Sequence, residues 1–347
     1  MQKICRSVAG AGYTVELVGR LRSFSIPLNK EPYKQTRLKC IFNKGKIFYI
    51  EYNIRLLFFL LFSKFDAACA IDLDTIAPVC IIGKLKGAKL IYDAHEYFTE
   101  VPEVVRRPAV KKVWQWVEKT FVPKFDLMYT VSPGLAEMFH QKYNKPVEVI
   151  MNVPVLSEEN VLQVPKNPKF ILYQGALNEG RGLEPLIDSM KGIDCLLKLA
   201  GEGDLSDQLR AQVKERGLEQ KVIFLGNLRP ADLKKITREA YIGVNLVENK
   251  GLNYYYSLAN KFFDYIHARV PQVCIGFPEY QKLNDKYDIA VLTKDCSMDE
   301  ITAALTRLLN NENLYGQLQK NCEVCSREMN WQQEELKLLN LYERLLG

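Results

Sequence analysis

Hydrophobic positions along this chain follow two alternating rhythms. Short apolar runs rich in β-formers recur at 13–18, 67–71, 89–93, 127–131 and 147–151. A second series recurs at 170–174, 195–200, 222–225, 242–246, 272–275 and 289–292. Between them, apolar residues return every three or four positions, the period of a helix packed along one face. That pattern predicts helices over 53–63, 109–121, 133–142, 184–191, 205–216, 230–238, 258–268, 298–310 and 330–345. Alternating strand and helix implies parallel sheets wrapped by helices on both faces. The two series part near 152–168, where Asn152-Val-Pro through Val164-Pro-Lys-Asn-Pro reads as a polar, Pro-rich linker. Two doubly wound α/β domains are therefore expected. Ligands of open α/β sheets sit beyond the carboxyl ends of the strands. A two-domain chain adds the cleft between its domains as the natural site.

The start of the chain breaks the rhythm. Residues 2–12 read as a helix with Ile4, Cys5, Val8 and Ala9 on an apolar face, yet no strand comes before it. A doubly wound domain should place one there, so the first sheet is expected to lack its first strand, as if roughly 20 residues were missing.

Composition narrows the class. The chain has 347 residues, and at roughly 150 per domain that again gives two domains. It is 48% hydrophobic and 25% charged, which excludes a disordered or fibrous protein. The longest strongly apolar run, 56–62, is flanked by Arg55 and Lys64 and falls far short of the about 20 residues a membrane span needs. Met1 leads into a mixed polar stretch rather than a signal peptide, so a cytoplasmic location is expected. Nine scattered cysteines, an odd number, fit reduced thiols better than a disulfide framework.

Charge is uneven. Residues 1–150 hold 23 basic and 14 acidic side chains, whereas 151–347 hold 24 and 27. A basic first half suits an anionic partner, or is simply solvated lysine. Nucleic acid is not expected: there is no zinc-finger spacing, no RNP-type aromatic motif and no basic zipper.

Candidate chemistry follows the strands. After 170–174 comes Gly175-Ala-Leu-Asn-Glu-Gly-Arg-Gly182 and a helix start. Glycines let backbone approach a ligand, a helix start offers N–H groups, and Arg181 can donate bidentately to phosphate. After 195–200 comes Gly201-Glu-Gly-Asp-Leu-Ser206, one residue away from a dinucleotide fingerprint and more simply a tight strand-to-helix turn. The most informative segment is Gly251-Leu-Asn-Tyr-Tyr-Tyr-Ser-Leu-Ala-Asn-Lys-Phe-Phe-Asp-Tyr-Ile266. Ser257 is the expected N-cap of the helix there. Lys261 and Asp264, three apart, share one face of it. A cation at that place can hold a diphosphate, and a carboxylate one turn on can accept from ribose hydroxyls. In the first half His95 and Glu96 follow the strand at 89–93, and Asp72 and Asp74 follow that at 67–71. A neutral imidazole there can bond a sugar hydroxyl or move a proton. Asp74 either orients an acceptor hydroxyl or caps the next helix.

Several motifs are missing. There is no GxxxxGK[ST] and no G-x-S-x-G, and His95-Glu96 lacks a zincin's second histidine. Cys322-x-x-Cys325 lies within a predicted helical stretch and reads as coincidence.

Taken together, these stretches resemble a known family. Asp72-Leu-Asp-Thr75, Tyr92-Asp-Ala-His-Glu-Tyr97, Tyr129-Thr-Val-Ser-Pro133, Tyr173 through Gly182, Gly201-Glu-Gly203, Val222-Ile-Phe-Leu-Gly226 and Ser257 through Tyr265 occur in order and spacing. The chain resembles GT-B-fold retaining glycosyltransferases of group 1, or family 4, in the branch of bacterial polysaccharide biosynthesis. The resemblance implies an acceptor domain over 1–152 and a donor domain over 153–329, with a last helix near 330–347 packing back on the first. It implies a UDP- or GDP-linked sugar donor, a glycan or lipid-linked acceptor, no cofactor and no metal. Donor contacts would come from Gly175, Gly180, Arg181, Gly201, Glu202, Gly226, Asn260, Lys261 and Asp264, and acceptor contacts from Asp72, Asp74 and Glu96. His95, Arg181 and Lys261 would be catalytic. The first carboxylate of the family's E-x7-E pair falls on Tyr256, with Glu248 as a substitute, and the usual loop arginine is Ala176. A sugar-nucleotide binder without transferase activity and a sugar-nucleotide epimerase are the competing readings. The run 52–64, beside so many basic residues, is either a buried helix or one lying on anionic lipid at the inner membrane face.

Overall fold

The computed structural model describes residues 1–22, 25, 27–42, 45–157 and 168–347. Most of the expected linker, 158–167, thus lies outside the described residues. The chain divides into two compact units, Met1–Met151 with Gln333–Gly347, and Asn152–Gln332.

In the amino-terminal unit α1 (Gln2–Gly10) precedes β1 (Glu16–Leu21) and β2 (Lys34–Lys39). Then come α2 (Gly45–Phe62), β3 (Ala67–Ile71), α3 (Ile76–Lys86), β4 (Lys89–Ala94), α4 (Pro102–Val105), α5 (Pro108–Phe121), β5 (Leu127–Thr130), α6 (Pro133–Tyr143) and β6 (Glu148–Val149). All pairings are parallel, but they form two sheets, β1–β2 and β3–β4–β5–β6. The first sheet region therefore has the expected gap. β1 starts at Glu16, later than expected, because Gly12 (φ 95°) and the Tyr13 N–H, bonded to Val8 O at 3.3 Å, prolong the exit from α1. β2 escapes the pattern altogether. Its Lys-Gln-Thr-Arg-Leu-Lys sequence carries the charges that blunt a sheet edge. α3 also escapes, being apolar on nearly every side; it stops at Gly87, a left-handed cap.

The carboxyl-terminal unit runs β7 (Phe170–Gln174), α7 (Leu183–Ser189), β8 (Leu196–Ala200), α8 (Ser206–Glu215), β9 (Val222–Gly226) and α9 (Pro230–Glu239). It continues with β10 (Ile242–Asn245), α10 (Leu252–Tyr256), α11 (Asn260–His267), β11 (Gln272–Ile275), α12 (Pro278–Tyr287), β12 (Ala290–Thr293), α13 (Met298–Asn310) and α14 (Glu312–Glu328). The last helix, α15 (Trp331–Leu346), ends in the amino-terminal unit, where Glu334 accepts from the Met151 N–H at 2.8 Å. The six parallel strands lie in the order β9-β8-β7-β10-β11-β12. Chain order reverses direction between β7 and β10, which places the ligand crevice of such a sheet at their carboxyl ends.

The expected helix at 258–268 forms as α11, but a separate short helix, α10, precedes it. The segment 258–268 does not begin at a Ser257 N-cap: α10 ends at Tyr256, and α11 starts at Asn260 with Ala259 as its flanking residue. Ser257 Oγ instead donates to Tyr254 O at 3.3 Å. The buried Tyr280 hydroxyl takes over, accepting the Ala259 N–H at 3.0 Å. α11 is then seated on the sheet by Tyr265, whose hydroxyl donates to Leu172 O of β7 at 2.8 Å. Its ring lies flat on Gly243 of β10, where a Cβ would stand 2.5 Å from the ring.

Gly243→Ala should therefore destabilise the carboxyl-terminal unit by about 1–3 kcal/mol, the usual cost of overpacking. Gly316→Ala, in α14 with nothing within 4 Å of its added Cβ, should raise stability by about 0.5–1 kcal/mol. Urea midpoints of the two variants, moving in opposite directions from the parent, check the pair.

Candidate functional site

At the carboxyl ends of β7 and β8 two glycine loops lock together by backbone. Gly175 N–H donates to Ala200 O at 2.9 Å, Leu177 N–H to Glu202 O at 3.2 Å, and Leu205 N–H to Leu177 O at 2.9 Å. Gly201 (φ 146°) is needed for this, since a Cβ there would meet Gly175 O at 2.0 Å. Gly203 likewise faces Leu177 and the side chain of Asn178. Gly201 thus serves loop-to-loop packing, a structural role beside the ligand contact expected of it. Gly180 and Gly182 allow the other approach, toward the segment after β10: their added Cβ atoms would lie 3.0 Å from Tyr254 and 2.9 Å from Leu246. Glu248 N–H bonds Gly180 O at 2.9 Å, and Lys250 Nζ joins Glu179 at 2.8 Å and Glu248 at 2.9 Å.

Two cations meet behind this seam. Lys261, in the first turn of α11, is 7% exposed. Its ammonium sits 3.7 Å from the centre of the Tyr173 ring and has no hydrogen-bond partner. Burial, and then the charge of Arg181, holds its pKa well below the ordinary lysine range. Arg181 is half-buried, with its guanidinium 4.5 Å above the Tyr254 ring. Gly175 lies beside the same point, its added Cβ 3.9 Å from Lys261 Nζ. A desolvated cation with a second cation near it, at the switch point of the sheet, is an arrangement that an anion would stabilise.

The remaining carboxyl-terminal candidates surround it less closely. Asp264 Oδ2 accepts from the buried Gln174 Nε2 at 2.9 Å, and Gln174 Oε1 accepts from Thr237 Oγ1 at 2.7 Å. This chain fixes the orientation of the Asp264 carboxylate. Asn260, exposed, accepts from Asn152 at 2.9 Å. Glu202 pairs with Arg210 at 2.6 Å, a contact that lowers its pKa. Gly226 (φ 65°) ends β9, and a Cβ added there would stand 3.6 Å from Glu202 Oε1.

In the amino-terminal unit the expected acceptor residues gather at the carboxyl ends of β3 and β4. Asp72 has φ 54°, a backbone state uncommon for a residue with a side chain. It is held there because its N–H donates to Asp93 O at 2.9 Å and its Oδ1 accepts the His95 N–H at 2.8 Å. His95 Nε2 stands 3.2 Å from Asp93 Oδ2 and 3.3 Å from Met1 Sδ. Burial alone would lower the His95 pKa, but Asp93 and then Asp72 outweigh it and raise it. Burial lifts Asp72 to about 7 against the pull of His95, and Asp74 to about 6. Glu96 is near enough for its charge to raise Asp72 further. Such groups exchange protons near neutral pH. Among the described residues, no three His, Cys, Asp or Glu side chains gather to hold a metal ion.

Several residues were passed over in the sequence. Tyr173 and Gln174 are hidden in an apolar strand, Thr237 on α9 and Tyr280 on α12. Asp93, within the stretch Tyr92–Tyr97 that carries the resemblance, sits inside a buried strand at 1% exposure. Lys250 carried no signal.

The class follows from comparison. Residues 156–324 match the family described as Glycosyl transferases group 1. Sucrose-phosphate synthase from Thermosynechococcus elongatus superposes with a TM-score of 0.78 at 17% identity, covering 99% of this chain and 92% of that one. Anabaena HepE, solved with UDP and glucose, superposes at 0.77 and 14% identity, covering 99% and 95%. The fold is GT-B. One curated relative is the Campylobacter jejuni N-acetylgalactosamine-N,N'-diacetylbacillosaminyl-diphospho-undecaprenol 4-alpha-N-acetylgalactosaminyltransferase. It is 36% identical over 114 residues, 30% of this chain and 31% of its own length. The chain thus matches about a third of that relative.

Asp74 gives a pH test. An acid whose pKa rises on folding holds its proton more tightly when folded. That contribution is full below the usual carboxylate range and is lost as pH climbs toward about 6. Asp74→Asn should leave stability at pH 4 unchanged and raise it at pH 8 by about 2 kcal/mol, as read from urea midpoints at the two pH values.

Proposed function

We propose that the protein is a glycosyltransferase that moves a hexosyl-type sugar, with retention of configuration, from a UDP- or GDP-linked donor to a glycan or lipid-linked acceptor. The observation that carries the reading is Lys261: a buried ammonium without a partner, beside Arg181, at the switch point of a group 1 domain. A diphosphate would supply the missing counter-charge. As the sugar–phosphate bond breaks, negative charge grows on that diphosphate, and cations fixed in advance stabilise it most at that moment. The loop at Gly175, Gly180 and Arg181 would carry the phosphates, Asp264 the ribose, and Gly201, Glu202, Gly226 and Asn260 the rest of the donor. His95, with Asp72, Asp74 and Glu96, would serve the sugar and acceptor hydroxyls. Two side-chain cations supply the charge, so the reading includes no metal and no protein nucleophile.

A lipid-linked acceptor and a role in capsule, exopolysaccharide or lipopolysaccharide synthesis draw support from the local similarity to a transferase named for a diphospho-undecaprenol substrate. The surface of α2 supports it too. Tyr52, Leu56 and Leu60 face inward, while Ile47, Ile50, Ile54, Phe58 and Phe62 form an exposed stripe at helical spacing. Among the described residues no helix is long and apolar enough to cross a membrane. A stripe like this, in a unit rich in lysine and arginine, suits peripheral contact with anionic lipid. A sugar-nucleotide binder that does not transfer is the second reading. It is favoured by Tyr256 at the first-carboxylate position and by the engagement of Glu248 with Lys250. Detectable hydrolysis of the donor excludes it.

A thermal-shift screen across UDP-, GDP-, ADP- and CMP-sugars should raise the unfolding temperature with a UDP or GDP donor. Lys261→Ala should then weaken binding by about 10–100-fold, the worth of a charged hydrogen bond, while His95→Ala leaves nucleotide affinity nearly unchanged. A bound diphosphate should raise the Lys261 pKa from its lowered value, so binding should weaken as pH rises. Equal affinity in both variants counts against the site. Vesicle flotation tests the lipid contact: the parent should float with anionic but not neutral vesicles, and Ile54→Glu with Phe58→Glu should abolish it.

A further inference from the structure

α5 has 14 residues, and the one it buries is a glutamate. Glu118 is 2% exposed, whereas Val113 and Trp116 of the same helix stand in solvent. Apolar side chains outside and a carboxylate inside reverse what helix packing rewards. The carboxylate is fully engaged. Its Oε2 accepts from Lys142 Nζ of α6 at 2.8 Å and from the buried Thr99 hydroxyl at 3.1 Å. Lys142 Nζ also donates to the buried Tyr97 hydroxyl at 2.9 Å. Burial alone would lower the Lys142 pKa, but Glu118 and then Tyr97 outweigh it and raise it, so the ammonium stays charged at neutral pH.

Both neutral partners of the pair belong to one short segment. Residues 97–100 follow His95 and Glu96 past the carboxyl end of β4 and close in a single turn, with the Glu100 N–H on Tyr97 O at 2.8 Å. Every residue of that turn is held from α5 or α6. The Tyr97 ring packs on Phe139 of α6 with centres 5.0 Å apart, and Phe98 packs on Trp114 of α5 at 4.8 Å. Thr99 reaches Glu118, and Glu100 pairs with Lys111 of α5 at 2.6 Å.

Stability does not account for the buried pair. Replacing such a pair by apolar side chains of similar size is often neutral or stabilising, because taking two charges out of water costs about what their attraction returns. What the pair supplies and an apolar contact does not is direction, since each hydrogen bond fixes where its partner atom stands. The atoms fixed here are the hydroxyls of Tyr97 and Thr99, two and four residues beyond His95.

We propose that Glu118 and Lys142 are positioning residues: joined across α5 and α6, they clamp the turn at 97–100 and so present His95 and Glu96 in one fixed geometry at the carboxyl end of β4. The proposal rests on the reading above for what His95 and Glu96 serve, the sugar and acceptor hydroxyls. The clamp itself is a statement about geometry.

Glu118→Leu combined with Lys142→Met removes the pair while keeping its bulk and the net charge. The unfolding temperature of this double variant should stay within about 4 °C of the parent. Its kcat for sugar transfer should fall by at least about 10-fold, since a misplacement of about 1 Å caused far from the chemistry can cost about 100-fold. UDP or GDP should bind as tightly as before, because Lys261 lies in the other unit. The second reading is the titration of His95, one of three histidines, identified in the NMR spectrum by the signal that His95→Gln removes. Against burial, Asp93 and then Asp72 raise the His95 pKa, with the amino group of Met1 opposing them. A loosened turn lets the imidazole leave Asp93, so the midpoint should fall by at least about 0.5 pH in the double variant. One positive and one negative charge are lost together, so that change reports geometry. Tyr97→Phe with Thr99→Val deletes both bonds from the turn and leaves the ion pair in place; it should move both readings the same way by a smaller step. A double variant that unfolds, or that keeps the parent's kcat and His95 midpoint, overturns the proposal, and so does a Tyr97→Phe, Thr99→Val protein that moves neither reading. If the parent itself transfers no sugar, the transferase reading fails and the His95 titration alone decides the clamp.

Discussion

An ammonium group kept from both water and counter-charge is the constraint around which the carboxyl-terminal unit is organised. Leaving Lys261 in this state costs several kilocalories, of which the face of Tyr173 returns only a part. Relaxation would be easy if α11 could turn by a fraction of a residue. It is prevented at three points: Ala259 on Tyr280, Tyr265 on Leu172, and the carbonyl of Phe262 on Gln272 at 3.1 Å. Gly243 and Gly201 have no side chains because the helix and the neighbouring loops already occupy the space. The unfavourable charge persists because everything around it is bonded to something else, which is the preorganisation an anion site needs.

The amino-terminal unit sets the opposite problem. Carboxylates outnumber the single imidazole around Asp72, and burial drives protons onto them. Asp72 is also held at positive φ, a strain of about 1–3 kcal/mol that persists only where the surroundings enforce it. Here they do, through backbone bonds to Asp93 and His95. Basic side chains dominate this unit as a whole, yet the groups pushed toward neutral pH here, Asp72 and Asp74, are acidic. Net charge described the surface and missed the site.

Much of this could be read along the chain, and the failures have physical causes. Long apolar strands such as Phe170–Gln174 and Gln272–Ile275 matched because a strand buried on both faces reads as an unbroken apolar run. The pair Lys261 and Asp264 was found from its spacing. What fixes the pair was not, since Gln174, Thr237 and Tyr280 reach it from three other elements and no local pattern records that. Ser257 misled because a good capping residue stood where the chain bends between two helices. β2 was missed because its charged side chains conceal a strand that needs only backbone to pair.

The last helix imposes an order on synthesis. The amino-terminal unit is built from Met1–Met151 and Gln333–Gly347, so its packing cannot close until residues 333–347 leave the ribosome. The carboxyl-terminal unit is one continuous stretch, Asn152–Gln332, and its packing waits for no later segment. Domains often fold in the order of their emergence; here the half made first must finish last. Throughout that interval the apolar residues of α1 and α2 that line one cavity with Tyr342 and Leu346 in the finished protein wait without them.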